Sequence, residues 1–387
     1  MNTSIDFAGG RYDFLDWLRV LAIFVLLFFH AGMLFVGWGW HIQNSQTLPA
    51  LVLPMDIAHR LRMPLLFVIA GAGLWFSLGR RSGLEVVRER SVRLLLPLVA
   101  GMFLIVPPQL WYERLFHGQW QGGYVDFVLH RVLLFQPYPQ GDFSWHHLWF
   151  IAYLYVYVLL FMPALVAWRR RTSSLRPGAW MLLGALPLGI NEALLKPLFP
   201  ESHALIGDWY VFNHYLLLML YGFVLASMPG SWDWLARRRH RLLGVAVAVF
   251  VLTLGAIEVG LIHRGTSADS LSANLFTWCW VLVFLAYGRQ HLSFCNGLLR
   301  WARDASYPVY ILHQTVIVAI GYYVVQMSWG PWTKYAVVLA ATMTICAVSY
   351  ETVVRRFAVT RVLFGLKPLT GKARIAASGS TPDASSA

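Results

Sequence analysis

Long apolar runs alternate with short basic segments along nearly the whole chain. A hydrocarbon core of about 30 Å needs about 17 to 25 apolar residues in helical form. Ten stretches approach that length: 18–37, 62–79, 94–110, 147–167, 179–195, 209–228, 242–262, 271–287, 306–325 and 335–353. Within lipid each segment has to satisfy its own backbone N–H and C=O groups, so such runs are helices. The pattern predicts an all-α, polytopic integral membrane protein of about ten transmembrane helices.

The basic residues orient these segments. Of the 31 Lys and Arg, 24 fall on one side of the alternation and seven on the other, Arg60, Arg62, Arg114, Arg131, Lys196, Arg264 and Lys334. The side rich in Lys and Arg is expected in the cytoplasm, with both termini there. Asp6, Arg11, Asp13, Asp16 and Arg19 precede the first apolar run and do not form a short basic n-region, so the first helix is expected to stay as an anchor. Residues 1–367 read as one transmembrane domain, and 368–387, with Gly371, Ser378, Gly379, Ser380, Pro382 and Ser385, as a disordered cytoplasmic tail. The longest loop, 111–146, is expected on the periplasmic side and holds an amphipathic run, Tyr124 to Phe135, suited to lie on the membrane.

Composition narrows the class. The 387 residues are 58% hydrophobic and 13% charged, with a mean hydropathy of +0.57, whereas soluble domains carry about 25% charge. An ordinary soluble enzyme and a disordered chain are both excluded. Three cysteines cannot build a disulfide scaffold, and Cys279, Cys295 and Cys346 read as packing residues. The net charge of +13 is spread as a topology signal rather than gathered on one face, so no nucleic-acid partner is expected; the partner is the lipid bilayer.

Ionisable side chains at bilayer depth are costly, and each raises a functional question. Arg19 and His30 are eleven residues apart, which is about 20° past three full turns and about 16 Å along the axis. They share one face, with Arg19 at the cytoplasmic mouth, in reach of Asp16, and His30 near the middle. Asp56, His59 and Arg62, at i, i+3 and i+6, line one side of the approach to the second helix. This row can hold and polarise a hydroxyl-bearing acceptor, or it can be an interfacial ion-pair ladder; spacing leaves both open.

The next cytoplasmic segment, Arg80 to Arg93, holds five arginines in fourteen residues. Arg90 and Arg93 can turn both guanidinium forks to one anion, for which phosphate is the natural choice. His146 and His147 open the fourth helix; Tyr310 and His313 share a face of the ninth and extend a polar cavity. Glu192 and Glu258 have no role beyond pairing with a neighbouring helix, and Tyr350 and Glu351 close the tenth. Gly71 and Gly73 read as close helix packing. There is no Walker loop, dinucleotide fingerprint, zincin helix or nucleophile elbow, and no metal site is expected.

These motifs in this order resemble one family. Arg19 followed by ten residues and then His30, Arg62-Met-Pro64 leading into Phe67-Val-Ile-Ala-Gly71, Arg90-Ser-Val-Arg93, His147-Leu-Trp-Phe150 and Tyr310-Ile-Leu-His313 resemble membrane-bound acyltransferase family 3, over about residues 12 to 367. Trp40-His41, Asp56-Ile-Ala-His59, Tyr350-Glu351 and Leu363-Phe-Gly-Leu-Lys-Pro368 look most like its glucan-modifying succinyltransferases of Gram-negative bacteria. Ala70 stands where many members have Ser, which removes that serine as a nucleophile here.

The resemblance implies an O-acyltransferase of the bacterial inner membrane. It would take a succinyl or acetyl group from cytoplasmic acyl-CoA and deliver it to a hydroxyl of a periplasmic glucan or other carbohydrate. On this reading Arg90 and Arg93 hold the CoA phosphates, Arg19 guides the donor and His30 is the general base, since a neutral imidazole suits proton transfer near neutrality. Asp56 and His59 assist the acceptor hydroxyl, and Arg62, His147, Tyr310 and His313 line the substrate site. Arg62 is the candidate for a succinyl carboxylate. A hydroxyl attacking a thioester needs no metal, so no cofactor beyond the acyl-CoA donor is expected. Direct transfer and an acyl-enzyme on His30 both remain open. Within the enzyme class the alternative is acetylation of a different surface polysaccharide or a lipid-linked acceptor, and two other classes fit buried ionisable groups: a secondary transporter of a sugar or organic acid, and a scaffold subunit of a polysaccharide assembly. Against transport, the chain shows no repeated half and no matching pair of broken helices.

Overall fold

The computed structural model describes residues 12–171 and 175–368. Its elements are helical throughout the described residues. In chain order they are α1 (Asp13–Gly32), α2 (Val52–Leu78), α3 (Gly83–Arg90), α4 (Leu96–Leu104), α5 (Val106–Phe116), α6 (Tyr124–His130), α7 (Trp149–Arg170) and α8 (Ala185–Leu195). The series continues with α9 (Trp209–Ser227), α10 (Ser231–Arg237), α11 (Arg239–Glu258), α12 (Ser267–His291), α13 (Gly297–Val324), α14 (Pro331–Ser349) and α15 (Ala358–Leu363). Single π-helical turns join α3 to α4, at Ser91–Leu95, and close α14, at Tyr350–Val354. Among the described residues there is no strand, and the chain is an all-α polytopic membrane protein.

Eight described helical stretches are long and apolar enough to cross a membrane. They cover eight of the ten expected segments. The other two are also helical: Ala179–Leu195 is apolar but short, beginning with a 3-10 turn, and α13 carries buried His313 and Gln314 along its length. The amphipathic run predicted at Tyr124 to Phe135 forms α6 and a 3-10 turn, burying Phe127 and Val132 and exposing Val125, Leu129, Leu134 and Phe135. The tail predicted at 368–387 lies, apart from Pro368, outside the described residues.

The chain divides into two compact units. The first comprises residues up to Phe29, Val52–Val86 and Leu159–Arg303. Here α2 and α9 approach at two glycines. A Cβ on Gly71 would lie 1.8 Å from the Met219 carbonyl oxygen, and one on Gly222 would lie 1.8 Å from that of Val68. This is the close packing expected of Gly71, since helix backbones meet only where a side chain is missing. Gly73 differs, because a Cβ there meets nothing within 4 Å.

In the same unit α12 packs on α8. Asn274 donates to Glu192 Oε2 at 2.7 Å, Lys196 pairs with Glu192 Oε1 at 2.7 Å, and the Trp278 indole donates to the Met181 carbonyl at 2.7 Å. Glu192 thus pairs with neighbouring groups, as a buried carboxylate requires. Cys279 is a packing residue, but Cys295 lies exposed in the turn before α13, so its expected packing role does not hold. Cys346 is buried in the second unit.

The second unit comprises His30–Leu51, Val87–Val158 and the residues from Asp304 onward. Leu34, Phe35 and Ile42, from the end of α1 and the loop beyond it, pack with Ile317 and Val318 of α13 and Val338 of α14. A second cluster seats Tyr350 and Val354 against Ala305, Val309 and Leu312 of α13. Loop 137–148 is held to α5 by charge. Asp142, fully buried, accepts from Arg114 Nε at 2.6 Å and Arg131 Nε at 2.7 Å. Arg114 also donates to the carbonyls of Pro139 and Gly141 and to Gln119 Oε1. A buried carboxylate needs partners of this kind.

Candidate functional site

The polar centre of the second unit is built by four pieces of chain. They are the C-terminal end of α1 with the loop after it, α5, loop 137–148, and the middle of α13. They are held by contacts already described: Leu34 and Phe35 packed on α13 and α14, the buried ion pair of Asp142 with Arg114 of α5, and the apolar seat of α13.

His30 Nδ1 lies 2.8 Å from His313 Nε2, and His313 Nδ1 lies 2.6 Å from the Tyr310 carbonyl oxygen. A carbonyl only accepts, so His313 carries its proton on Nδ1 and, when neutral, presents a lone pair at Nε2. His30 must then donate from Nδ1, which leaves the lone pair of a neutral His30 on Nε2. The relay fixes the tautomer of His30, and fixed in this way it can take a proton from a hydroxyl. Its ring stacks on Trp40 with centroids 6.0 Å apart and 8° between planes, which also fixes its orientation.

His147 and Tyr310 are stitched together in both directions. His147 Nε2 donates to the Ile311 carbonyl at 2.9 Å, and the Tyr310 hydroxyl donates to the His147 carbonyl. The His147 ring stands edge-on to His313 at 5.2 Å. Four residues expected at the site, His30, His147, Tyr310 and His313, therefore come together, with Tyr310 and His313 acting as positioning groups for the others.

Beside them lies a second set. His41 Nδ1 meets Glu113 Oε2 in a short contact, His41 Nε2 lies 2.9 Å from the Gln314 side-chain amide, and Gln314 reaches Gln109 at 3.1 Å. Tyr138 donates to Glu113 Oε1 at 3.1 Å. Burial, then the Glu113 charge, pushes the Tyr138 phenol up to about 12, so it stays a donor at neutral pH. His146 packs between the rings of His41 and Tyr138. In the sequence His41 stands out only as part of a family signature, and Glu113, Gln109 and Tyr138 do not stand out at all. A carboxylate at the end of an apolar span, next to Arg114, was the one available signal for Glu113.

The remaining expected residues lie as follows. Arg93 Nε donates to the Gly365 carbonyl at 3.1 Å and Arg93 Nη1 pairs with Glu89 at 3.3 Å. The π turn begins between Arg90 and Arg93, so their offset departs from that of a regular helix. In the first unit Arg19 pairs with Asp16 at 3.1 Å, as expected. Asp56 faces Arg60 at 3.5 Å, and the His59 ring stacks on Phe29. Arg62 is buried with its guanidinium 3.5 Å over the Phe29 ring, and its Nε and Nη1 have no hydrogen-bond partner. Glu351 pairs with Arg355.

Comparison with known proteins gives a family match. A model described as Acyltransferase domain covers residues 12–351. Glucans biosynthesis protein C of Escherichia coli strain K12 is 23% identical over 392 residues, spanning 93% of this chain and 95% of that protein. The protein of the same name from Salmonella schwarzengrund strain CVM19633 is 24% identical over 388 residues, spanning 92% and 95%. No solved structure matches.

Proposed function

Since the chain belongs to this acyltransferase family, matched over residues 12–351, we propose that it moves an acyl group from cytoplasmic acyl-CoA to a hydroxyl of an extracytoplasmic glucan. The observation that carries the reading is the relay from the Tyr310 carbonyl through His313 to His30. A hydroxyl is a poor nucleophile until a base removes its proton, and His30 Nε2 is that base. The oxygen attacks the thioester carbonyl, the tetrahedral intermediate collapses, and CoA leaves as the thiol after taking a proton from the imidazolium. Atoms and charge balance with no further reactant.

Arg90 and Arg93 are the groups suited to the CoA phosphates, with the part of Arg93 that Gly365 and Glu89 leave uncommitted. The acceptor is assigned from the names of the glucan biosynthesis relatives, and the bacterial inner membrane follows from a donor and acceptor on opposite sides. His147 would contact the carbohydrate. Arg62 suits a carboxylate, because a buried guanidinium with two unpartnered N–H atoms is costly until an anion meets it. A succinyl donor supplies one.

The test places purified protein in vesicles with glucan enclosed and labelled succinyl-CoA or acetyl-CoA outside. The expected result is label on the enclosed glucan and free CoA outside, with preference for succinyl that Arg62→Gln reduces. Uptake of sugar or organic acid without acylated glucan would overturn the reading in favour of transport.

A further inference from the structure

His41, Glu113 and His146 come from three separate elements: the loop after α1, helix α5 and the 3-10 turn before α7. One ligand-capable atom from each lies within 4.8 Å of the other two. We infer that these three side chains bind one divalent transition-metal ion of the zinc type, with a coordination position left open for an oxygen ligand. This departs from the expectation of no metal, which rested on the absence of a short local motif; here the ligands are far apart in sequence and meet only in the fold.

Four observations carry the inference. First, His41 and Glu113 are buried, so this is not an exposed acidic patch. Secondly, His146 Nε2 is buried and has no hydrogen-bond partner, while Nδ1 has Ser144 Oγ at 3.5 Å. A ring nitrogen shut away from water without a partner is what a cation would satisfy. Thirdly, the His146 ring is aimed and held: it stands edge-on to His41 at 4.9 Å and to Tyr138 at 4.7 Å, and its backbone takes φ +38°, a conformation a histidine adopts at a cost.

The fourth is the amide pair. As placed, Gln314 Nε2 points to His41 Nε2 and to Gln109 Oε1, and Gln109 Nε2 is buried without a partner. Amide oxygen and nitrogen are interchangeable by shape. With both amides turned over, Gln109 donates to Gln314 Oε1, which also accepts the His41 Nε2–H. The atom left over on Gln109 is then an acceptor, the cheaper kind to leave. His41 Nδ1 now turns a lone pair toward the Glu113 carboxylate, and two acceptors cannot face each other without a positive centre between them. A proton would serve that pair alone; a metal ion serves His146 as well.

Two imidazoles and one carboxylate form a common ligand set for zinc, with the fourth position open. The other ring nitrogen of His41 is held by Gln314, and the other Glu113 oxygen by Tyr138 at 3.1 Å, the outer support such ligands need. Arg114 Nη1 stands 4.0 Å from Glu113, but its charge is matched by buried Asp142 at 2.6 Å. A tetrahedral ion with bonds of about 2.1 Å sets its ligands about 3.4 Å apart, so the widest pair closes by about 1.4 Å while the short His41–Glu113 contact opens to admit the ion, both within the reach of side-chain rotation.

The experiment uses the full chain in detergent micelles, stripped with a chelator and titrated with Co²⁺, with no substrate present. About one Co²⁺ per chain is expected, with the strong visible absorption of a four-coordinate ion, displaced by Zn²⁺. Glu113→Gln and His146→Gln should each weaken binding by at least about tenfold. Because either variant could fold poorly, His146→Cys supplies a gained signal: a thiolate-to-cobalt charge-transfer band. Exposed His130, which pairs with Asp126 at 2.8 Å, is the control for adventitious binding, and His130→Gln should leave the titration unchanged. No four-coordinate spectrum in the wild type, equal loading of Glu113→Gln, or no charge-transfer band in His146→Cys would overturn the assignment.

Discussion

Asp142→Asn removes one charge and keeps the shape of the side chain, so it isolates what the buried ion pair does for loop 137–148. Asp142 is 0% exposed, while its partners Arg114 and Arg131 are 9% and 33% exposed at their side chains. An asparagine can offer its oxygen to one guanidinium only, and its NH₂ then faces the donors of the other. Breaking a buried pair by removing one partner costs about 3–5 kcal/mol, because the remaining charge stays uncompensated. The Arg131 half can turn to water and contributes about 1 kcal/mol or less. Asp142→Asn is therefore expected to cost about 3–5 kcal/mol, nearly all of it through Arg114. Arg114→Met should cost at least as much, since it also strips the donors from the carbonyls of Pro139 and Gly141. Arg131→Met should cost about 1 kcal/mol. The assay is equilibrium unfolding in mixed micelles, followed by tryptophan fluorescence. Equal losses for Arg114→Met and Arg131→Met, or a loss below about 1 kcal/mol for Asp142→Asn, would refute the reasoning from burial.

Three further outcomes are expected. Gly71→Ala should lower the melting temperature, because its Cβ would lie 1.8 Å from the Met219 carbonyl oxygen, whereas Gly73→Ala, with open space around it, should leave stability unchanged or raise it by about 0.5–1 kcal/mol; equal effects would contradict the packing of α2 on α9. His313→Leu should reduce kcat about 100-fold or more, and His313→Gln, whose oxygen can accept the same His30 N–H, should recover part of that and restore the pH profile; equal loss in both would remove the relay. In the loop before α9, burial works against the charge of Glu201, but His203, 3.2 Å away, together with His59 and Lys196 outweighs it and holds the carboxyl down to about 2. A depressed carboxyl stabilises the fold above its unfolded value of about 4.3 and loses that contribution as pH falls toward the folded one, so the melting difference between wild type and Glu201→Gln, present at pH 5, should vanish near about pH 2; a difference that grows on acidification would reverse the sign.

Much of the fold was legible because lipid leaves the chain few options. Segment length and the need to satisfy the backbone internally predict helices wherever apolar runs reach spanning length. The π turns at Ser91–Leu95 and Tyr350–Val354 were not legible, because a one-residue change in hydrogen-bond register leaves the hydrophobic pattern intact. At the site, His30, His147, Tyr310 and His313 stood out as polar groups inside apolar runs, where each has to find a partner. Which partner each found was not written in the pattern. The His30 to His313 relay joins positions 283 residues apart, and His41 to Glu113 joins positions 72 apart. Gly71 was readable as close packing while Gly73 was not distinguishable from it, since only the approach of α9 separates the two. Cys295 shows the converse: an apolar residue type says little where the chain turns at the surface.

The account rests on His30 as the base that activates the acceptor hydroxyl, and release of CoA thiol tests it most directly. Purified wild-type protein, given acyl-CoA with and without glucan, is compared with His30→Ala protein shown to be folded by its melting transition. The expected result is thiol release by the wild type that requires glucan, and none above the hydrolytic background from His30→Ala. Equal glucan-dependent release by both proteins would contradict the role of His30.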